Sequence, residues 1–236
     1  SLHPGKYVHA LARTVIDQGV SCVENTKVLN IKKLFHPEHS FQVSTSNGEL
    51  WCKKVLIATN GYSSWKFPEI RTKIIPMGSY MIATEPLTED LQKQIFPRMR
   101  MFFDTKKLLH YFRLSPDRRL LFGGRDALSN NLNLQVSARK LKNAVNDLFP
   151  ELKHTKVTHS WSGKLAVTLN LCPHLIEKKG IYYAYGYCGH GVSMASYLGW
   201  EASQCILNNK ISPIHQQISK HSIVPPFIDQ LLLPTL

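Results

Sequence analysis

The spacing of apolar residues along the chain predicts three amphipathic helices. Residues 5–18 place apolar side chains three and four positions apart, and Gly19 follows as a helix stop. The same spacing predicts helices over residues 135–149 and 192–207. One face of the last helix would collect its apolar residues, which are Ala195, Leu198, Ala202, Cys205 and Ile206.

Shorter runs of apolar, β-branched and aromatic residues predict strands between the helices. These runs cover residues 21–24, 26–32, 41–45, 49–58, 74–84, 108–114, 119–124, 155–161 and 181–185. The pair Asn47-Gly48 predicts a type I′ hairpin, since that turn needs positive φ at both central residues. The apolar run 55–58 is typical of a strand buried on both faces. From about residue 71 the pattern indicates an antiparallel sheet with helices attached.

Composition indicates a soluble globular protein, because apolar residues make up 43% of the chain and charged residues 19%. No apolar run approaches the roughly 20 residues that a membrane helix needs. The chain begins with Ser1 and shows no basic segment followed by an apolar core, so we expect it to be processed, cut or taken from the middle of a longer protein. Residues 210–236 are rich in Pro and Leu, which predicts an extended tail.

The five cysteines are scattered, odd in number and without a C-x-x-C pair. This pattern predicts free thiols in a reducing compartment, and we expect a cytoplasmic protein. Eleven histidines occur without an H-x-x-x-H or H-E-x-x-H pattern, so no metal site is predicted.

The net charge of +13 raises nucleic acid as a partner. The basic residues, however, stand in short pairs such as Lys32-Lys33, Lys53-Lys54 and Lys106-Lys107, with no continuous stripe. This distribution favours a solvated basic surface over a nucleic-acid site.

The most informative stretch joins the strand predicted over 181–185 to the helix that begins near Val192. Its glycines, Gly186, Gly189 and Gly191, let the backbone turn sharply and bring amide groups close to a ligand. The helix start offers unpaired N–H groups and the positive end of the helix dipole, which favour an anion or a polarised carbonyl. An ordinary strand-turn-helix connection has the same spacing, and the spacing alone leaves both open.

A series of short motifs, in order, resembles the D-amino-acid oxidase-like family of flavin-dependent amine and amino-acid oxidoreductases. Within that family the chain is most similar to glycine oxidase, sarcosine oxidase and gamma-glutamylputrescine oxidase. The resemblance covers residues 3 to about 209. The motifs are HPGKYV at 3–8, Val28, VLIATNGY at 55–62, PMGSY at 76–80, TEPL at 84–87, YFR at 111–113, RLLFGGR at 119–125, FPEL at 149–152, WSG at 161–163 and GYCGHGV at 186–192.

The resemblance implies a fold of the α/β plus α+β class. A partial FAD-binding, Rossmann-like lobe would comprise residues 1–70 and 165–209, and an antiparallel-sheet substrate lobe would comprise residues 71–164. The family's G-x-G-x-x-G phosphate loop, with the acidic residue that follows it, is absent from this sequence. We therefore expect a missing N-terminal portion, or another copy of the chain, as a partner.

The resemblance also implies the residues that hold FAD. Val28 would place its backbone near the adenine. The ADP portion would be lined by Ala58, Thr59, Asn60 and Gly61. Backbone N–H groups would be presented to the pyrimidine edge of the flavin by Gly189, His190, Gly191 and Val192. We expect a positive φ at Gly191 and only a packing role for the His190 side chain, with a catalytic base as the alternative. Covalent flavin in some sarcosine oxidases uses a cysteine that corresponds to about Gly163, so non-covalent FAD is expected.

The implied reaction is oxidation of an amine, in which the carbon next to nitrogen delivers hydride to FAD. Candidate substrate contacts are Tyr111, Arg113, Trp161 and Lys164. The alternative for Tyr111 and Trp161 is a place in the core or in the pocket wall, where these residue types are more often found than in catalysis. Leu165 stands where glycine oxidase has a carboxylate-binding arginine, so a small α-amino acid is a doubtful substrate. Asn170 replaces the usual Asp of T-x-D-x-x-P. The alternative function is that of a truncated, inactive remnant that serves as a binding or assembly piece.

Overall fold

The computed structural model describes residues 2–36, 38, 40–106, 109–125, 133–208 and 215. Contacts divide these residues into two compact units. The first unit contains residues 2–73, 168–208 and 215, and the second contains the described residues within 74–167. The assignment of cofactor to the first unit and of substrate to the second stays a prediction.

Five α-helices and eleven strands are present in the described part of the chain. The helices are α1 Pro4–Asp17, α2 Pro68–Arg71, α3 Glu89–Ile95, α4 Leu134–Leu148 and α5 Gly191–Asn208. The strands are β1 Val28–Lys33, β2 Phe41–Thr45, β3 Gly48–Cys52, β4 Val55–Ile57, β5 Ile75–Pro86, β6 Phe102–Phe103, β7 Tyr111–Leu114, β8 Arg119–Gly124, β9 Val157–Val167, β10 His174–Lys178 and β11 Ile181–Tyr185. Two short 3-10 helices cover Asn60–Tyr62 and Pro150–Leu152.

Helix α1 begins and ends where the sequence predicts. The His3 side chain caps it by accepting the N–H of Lys6 at 3.3 Å, and Pro4 occupies the first helical position. Gly19, with φ of 87°, follows its end. Although the helix is amphipathic, none of its residues is buried, and Val8 and Leu11 are 60% and 45% exposed.

The first unit contains two three-stranded sheets. In one of them, β1, β2 and β3 form an antiparallel meander. In the other, β11 lies between β10, to which it is antiparallel, and β4, to which it is parallel. The buried face of α5 packs against this second sheet through Leu198, Ala202 and Cys205.

The single strand predicted over 49–58 is wrong. The chain breaks at Lys53-Lys54 into β3 and β4, which belong to different sheets. The prediction that residues 55–58 are buried on both faces is also wrong, because Leu56 is 38% exposed.

The hairpin between β2 and β3 is confirmed, but its turn type is not. Thr45 pairs with Gly48, so Ser46 and Asn47 form the loop, and of Asn47 and Gly48 only the glycine has a positive φ, of 139°. The pattern of two positive φ values occurs instead in the β10–β11 hairpin, which the sequence did not reveal. There Lys179 and Gly180 have φ of 57° and 88°.

The strand predicted over 21–24 is absent, since these residues pair with no described strand. A strand exists only through hydrogen bonds to a neighbour, so a β-rich run without one stays irregular. The next strand begins at Val28, two residues later than predicted.

The second unit is built on a five-stranded antiparallel sheet with the order β6-β7-β8-β5-β9. Helix α4, which Asn133 caps by accepting the N–H of Val136 at 3.1 Å, packs on one face of it. The core between them is fully buried at Val145, Ile82 and Phe122. The predicted antiparallel sheet with an attached helix is confirmed.

No helix among the described residues is both long enough and apolar enough to cross a bilayer. The same part of the chain brings together no three His, Cys, Asp or Glu side chains that could hold a metal ion. All five cysteine thiols are free. The predicted tail, 210–236, lies outside the described residues except for His215, which is buried.

Candidate active site

The two segments predicted to bind FAD lie at one edge of a sheet. Strands β4 and β11 are parallel neighbours, with Ile57 paired to Tyr183. Their carboxyl ends therefore meet at the same edge, where ligands of open α/β sheets bind. Residues 58–61 follow β4 there, and residues 186–190 follow β11 and lead into α5.

A direct hydrogen bond joins the two segments. The side-chain Oδ1 of Asn60 accepts the backbone N–H of Gly186 at 2.9 Å. Asn60 itself has a φ of 45°, in the left-handed region. Its neighbours are tied back locally, since the hydroxyls of Thr59 and Ser63 are 2.7 Å apart and Ser63 also donates to the Asn60 carbonyl at 2.8 Å.

Left-handed backbone is concentrated around this edge. Asn60, Leu171, Gly186, Cys188 and Gly189 have φ of 45°, 55°, 80°, 51° and 100°. Each non-glycine residue in this region costs free energy, and such residues cluster at active sites and ligand clamps. The loop 168–173 thus joins the other two segments as part of the site.

Thr168 braces the turn after β11. Its hydroxyl donates to the Cys172 carbonyl at 2.9 Å and lies 3.5 Å from the Cys188 Sγ. The Cys188 thiol in turn contacts the Gly186 carbonyl at 3.2 Å. A Cβ on Gly186 would lie 2.5 Å from the Thr168 methyl, so only glycine fits between them.

Asn170 orders the loop without a charge. Its Oδ1 accepts the Cys172 N–H at 3.2 Å and lies 3.0 Å from His174 Nε2. Because an amide oxygen only accepts, the histidine carries its proton on Nε2. Burial lowers the pKa of His174 to about 4, with Lys73 and His215 adding to the effect, so the ring is neutral and stacks on Tyr185 at 5.0 Å. The sequence pointed to Thr168 and Asn170 through the T-x-D-x-x-P motif but not to His174, which directly follows that motif.

Two expectations about the turn itself are wrong. The N–H of His190 donates to the Tyr187 carbonyl at 2.8 Å, so it is used inside the turn and not offered to a ligand. Gly191 does not have a positive φ, and a Cβ there would meet only Tyr187, at 3.7 Å. Positive φ occurs instead at Gly186 and Gly189, and these positions favour glycine. The contacts of Gly189, Gly191 and Val192 with the flavin stay predictions.

Val28 belongs to the other sheet of the first unit. It begins β1 in the meander sheet, pairs with Thr45 and is 37% exposed. Its predicted place at the adenine stays a prediction.

In the second unit, the register of the sheet aligns Phe103, Tyr111, Gly123, Met81 and Trp161 in one row across five strands. A Cβ on Gly123 would lie 2.3 Å from the Tyr111 ring, so the glycine makes room for the tyrosine. The Tyr111 hydroxyl lies 2.7 Å from that of Ser79. Phe103 and Trp161 are 76% and 44% exposed, and we call this row the aromatic row.

The aromatic row occupies the face of the sheet opposite α4, since its members alternate with the core residues Tyr80, Ile82 and Phe122. Arg113 and Leu165 share its face, being two and four positions from Tyr111 and Trp161. Lys164 alternates to the other face, so the structure does not bring it together with the other three candidates. Phe103 and Ser79 were missed because only the register reveals them.

The edge formed by residues 58–61, 168–173 and 186–192 has the chemistry to hold an anionic or electron-rich group. The first turn of an α-helix has N–H groups without acceptors inside the helix, and α5 begins at Gly191. No acidic side chain occurs in 186–192 to repel negative charge. Donors and a helix dipole that point to the same place stabilise an anion there.

Comparison with known proteins identifies the family. A model of the family described as FAD dependent oxidoreductase matches residues 1–205. The chain is 33% identical to a probable oxidoreductase, OrdL, of Haemophilus influenzae, over 88% of this chain and 48% of that protein. It is 31% identical to the gamma-glutamylputrescine oxidoreductase of Escherichia coli, over 84% of this chain and 47% of that protein. The chain belongs to the FAD dependent oxidoreductase family, whose cofactor is FAD.

The fold is also similar to that of solved structures. The crystal structure of L-proline dehydrogenase from P. horikoshii superposes with a TM-score of 0.71, at 22% identity, over 89% of this chain and 57% of that one. The predicted fold class and family resemblance are confirmed. The chain spans about half the length of the curated relatives it matches.

Proposed function

We propose that this chain forms part of an FAD-dependent enzyme that oxidises an amine or amino-acid derivative. The observation that carries the proposal is the Asn60–Gly186 hydrogen bond, at 2.9 Å. It fixes two family motifs at one sheet edge, where a cluster of left-handed residues and a helix start coincide. Family membership supports the same reading.

FAD, when bound, supplies the oxidising chemistry by accepting hydride from the carbon next to the amine nitrogen. The chain itself supplies backbone N–H groups near the cofactor and holds them in position. The N–H groups at Gly189, Gly191 and Val192 stabilise negative charge at the ligand edge that faces them. The side chains of Asn60 and Thr168 hold the turn that presents these groups.

The aromatic row would receive the substrate. Aromatic rings attract a cationic amine, and the row contains Tyr111 and Trp161 with the apolar Met81 between them. Leu165 on the same face cannot pair with a carboxylate. The E. coli relative is named for gamma-glutamylputrescine, a larger amine than glycine, and this direction of preference is the one we propose here.

The test is a comparison of two purified samples. In the complete parent protein, bound oxidised flavin gives a yellow colour, and Asn60→Ala should lower the flavin content. The 236-residue chain alone should bind FAD weakly in an equilibrium titration, because its sequence has no G-x-G-x-x-G loop to hold the pyrophosphate. A colourless parent protein refutes the function. A tight stoichiometric complex of FAD with the chain alone refutes the expectation that binding needs a G-x-G-x-x-G loop from another segment.

One observation favours a second function, that of a binding or assembly piece without catalysis. No residue of α1 is buried, and β4 pairs along one edge only with strands in the described part of the chain. Both features suit association with another polypeptide. Turnover of any amine by the flavin-loaded parent protein would exclude this reading.

A further inference from the structure

A cleft of about 450 Å³ lies within the first unit, between the meander sheet and the β10-β11-β4 sheet. Its floor is apolar and well packed, since Phe41, Ile57 and Tyr183 are 2%, 6% and 3% exposed. None of the residues 58–61 or 186–192 lines it. The cleft is therefore separate from the edge formed by residues 58–61 and 186–192, and its ligand goes beyond the proposed function.

The rim of the cleft is strongly basic. Lys33, Lys66, Lys178 and Lys179 line it with a single acidic residue, Glu69. The four positive charges and one negative charge leave an excess of three. Lys178 lies 3.6 Å from Glu69, which is a long ion pair, and the Lys66 ammonium has no ion-pair partner among the described residues.

One of the four positive charges is held in place by the type I′ turn of the β10–β11 hairpin. Gly180 packs against the Phe41 ring, where its Cβ would lie 3.1 Å from the nearest ring carbon. The Lys33 ammonium donates to the Lys179 carbonyl at 3.3 Å. The two sheets thus meet at this turn, and the Lys33 ammonium is held there.

The Tyr183 hydroxyl adds a hydrogen-bond donor to the lining of the cleft. Burial, with Glu69 and Glu177, raises the pKa of Tyr183 to about 12. The Tyr183 hydroxyl is therefore protonated at neutral pH and can donate a hydrogen bond.

We propose that this cleft binds an amphipathic organic anion, namely a carboxylate on a medium alkyl chain or on a single aromatic ring. The apolar body would cover the floor of Phe41, Ile57 and Tyr183, and the carboxylate would lie among the lysines. The volume is at the small end of the roughly 300–1,000 Å³ typical of ligand pockets. Inorganic phosphate lacks the apolar part, so it should not compete at equal concentration.

Octanoate is the probe, with octanamide as its uncharged counterpart, in isothermal titration of the 236-residue chain. Octanoate should bind at least about tenfold more tightly than octanamide, since two or more lysines attract it. Lys66→Gln should weaken octanoate binding about fivefold, which corresponds to about 1 kcal/mol of lost attraction. Glu69→Gln should strengthen it by a similar factor, because the competing carboxylate is removed.

Lys32→Gln is the matched control. Lys32 precedes Lys33 on β1, is equally exposed and does not line the cleft. Its replacement should leave the affinity within about twofold. Circular dichroism of each variant confirms folding, which these exposed positions should not disturb. The proposal is overturned if octanoate gives no heat, if octanamide binds equally well, or if Lys32→Gln weakens binding as much as Lys66→Gln does.

Discussion

The side-chain oxygen of Asn60 accepts a hydrogen bond from the backbone of Gly186 across 126 positions of sequence. The bond connects the carboxyl ends of two parallel strands, and both residues have left-handed backbone. Asparagine is suited to this position, because it tolerates positive φ better than other non-glycine residues and still supplies an acceptor.

Replacing Asn60 tests this link. Asn60→Ala leaves the Gly186 N–H without its acceptor and places alanine in left-handed backbone, so the free energy of unfolding should fall by about 1–3 kcal/mol. Asn60→Asp keeps the acceptor and should retain most of the stability. Urea denaturation measures both. Asn25→Ala, at an exposed position with φ of 52°, measures the cost of placing alanine in left-handed backbone alone. An equal loss of stability there would contradict a role for the hydrogen bond.

Gly186 and Gly191 should respond very differently to alanine. At Gly186 the new Cβ meets Thr168 at 2.5 Å in addition to the unfavourable φ of 80°, so we expect a loss of about 2–4 kcal/mol. At Gly191 the nearest atom is at 3.7 Å and φ is not positive, so alanine should change stability by less than about 1 kcal/mol. Thermal unfolding of the two variants decides. Similar losses would show that the turn is not shaped as described.

Stability should depend on pH through His174. Its pKa is about 4 in the folded state against 6.5 ordinarily, so between these values the unfolded chain binds a proton that the folded chain does not. The free energy of unfolding is therefore complete above about pH 6.5 and falls as the pH drops toward 4, by at most about 3 kcal/mol. Burial lowers the pKa of His215 as well, in the same direction, although Glu201 opposes it.

The variant His174→Phe keeps the stacking on Tyr185 and removes the titration. Its free energy of unfolding, measured by urea at pH 7, 6 and 5, should fall less steeply than that of the parent chain. Parallel slopes would assign the pH dependence to other groups.

Substrate preference should depend on Leu165. In the complete parent protein, secondary or longer amines should be oxidised faster than glycine, because the apolar Leu165 on the aromatic-row face offers nothing to a carboxylate. Leu165→Arg should raise the relative rate with glycine, and Val167→Arg, on the same strand and face, is the positional control. Rates with glycine, sarcosine and a γ-glutamyl polyamine provide the measurement. A clear preference of the unchanged protein for glycine would contradict the role given to Leu165.

The exposed face of α1 predicts self-association of the isolated chain. Val8→Glu with Leu11→Glu should lower the apparent mass in light scattering, because it removes apolar surface that other copies can cover. Phe35→Glu, at a fully exposed residue outside α1, should have a smaller effect. A monodisperse monomer of the unchanged chain would show that this surface is tolerated in water.

The elements that sequence predicted well are those with a strong local pattern. Helix α4 has apolar residues at helical spacing with Asn133 as cap, and β11 is a continuous apolar and aromatic run. The strand β10, which reads HLIEK, has no alternation and ends in charges, so only its pairing with β11 makes it a strand. Conversely, residues 21–24 have strand-forming composition and no strand partner in the described part of the chain.

The candidate site was predictable in part for the same reason. The motifs around Asn60 and Gly186 were recognisable one by one, whereas their hydrogen bond depends on strand order. The use of the His190 N–H inside the turn depends on backbone geometry that glycine spacing does not fix. The aromatic row required the register of five strands, and the basic cleft required the contact of two sheets.

The parallel pairing of β4 with β11 has a consequence for synthesis on the ribosome. Strands β10 and β11 are adjacent in sequence and can form their hairpin as soon as both have emerged. Strand β4, in contrast, emerges about 126 residues before its partner, a delay of roughly 6–25 s at ordinary elongation rates. During that interval β4 lacks its partner β11, so the first unit cannot fold completely until the second unit has been synthesised. A chaperone or another nascent segment that shields residues 55–57 would therefore raise the yield of folded protein more than one that binds anywhere in the second unit.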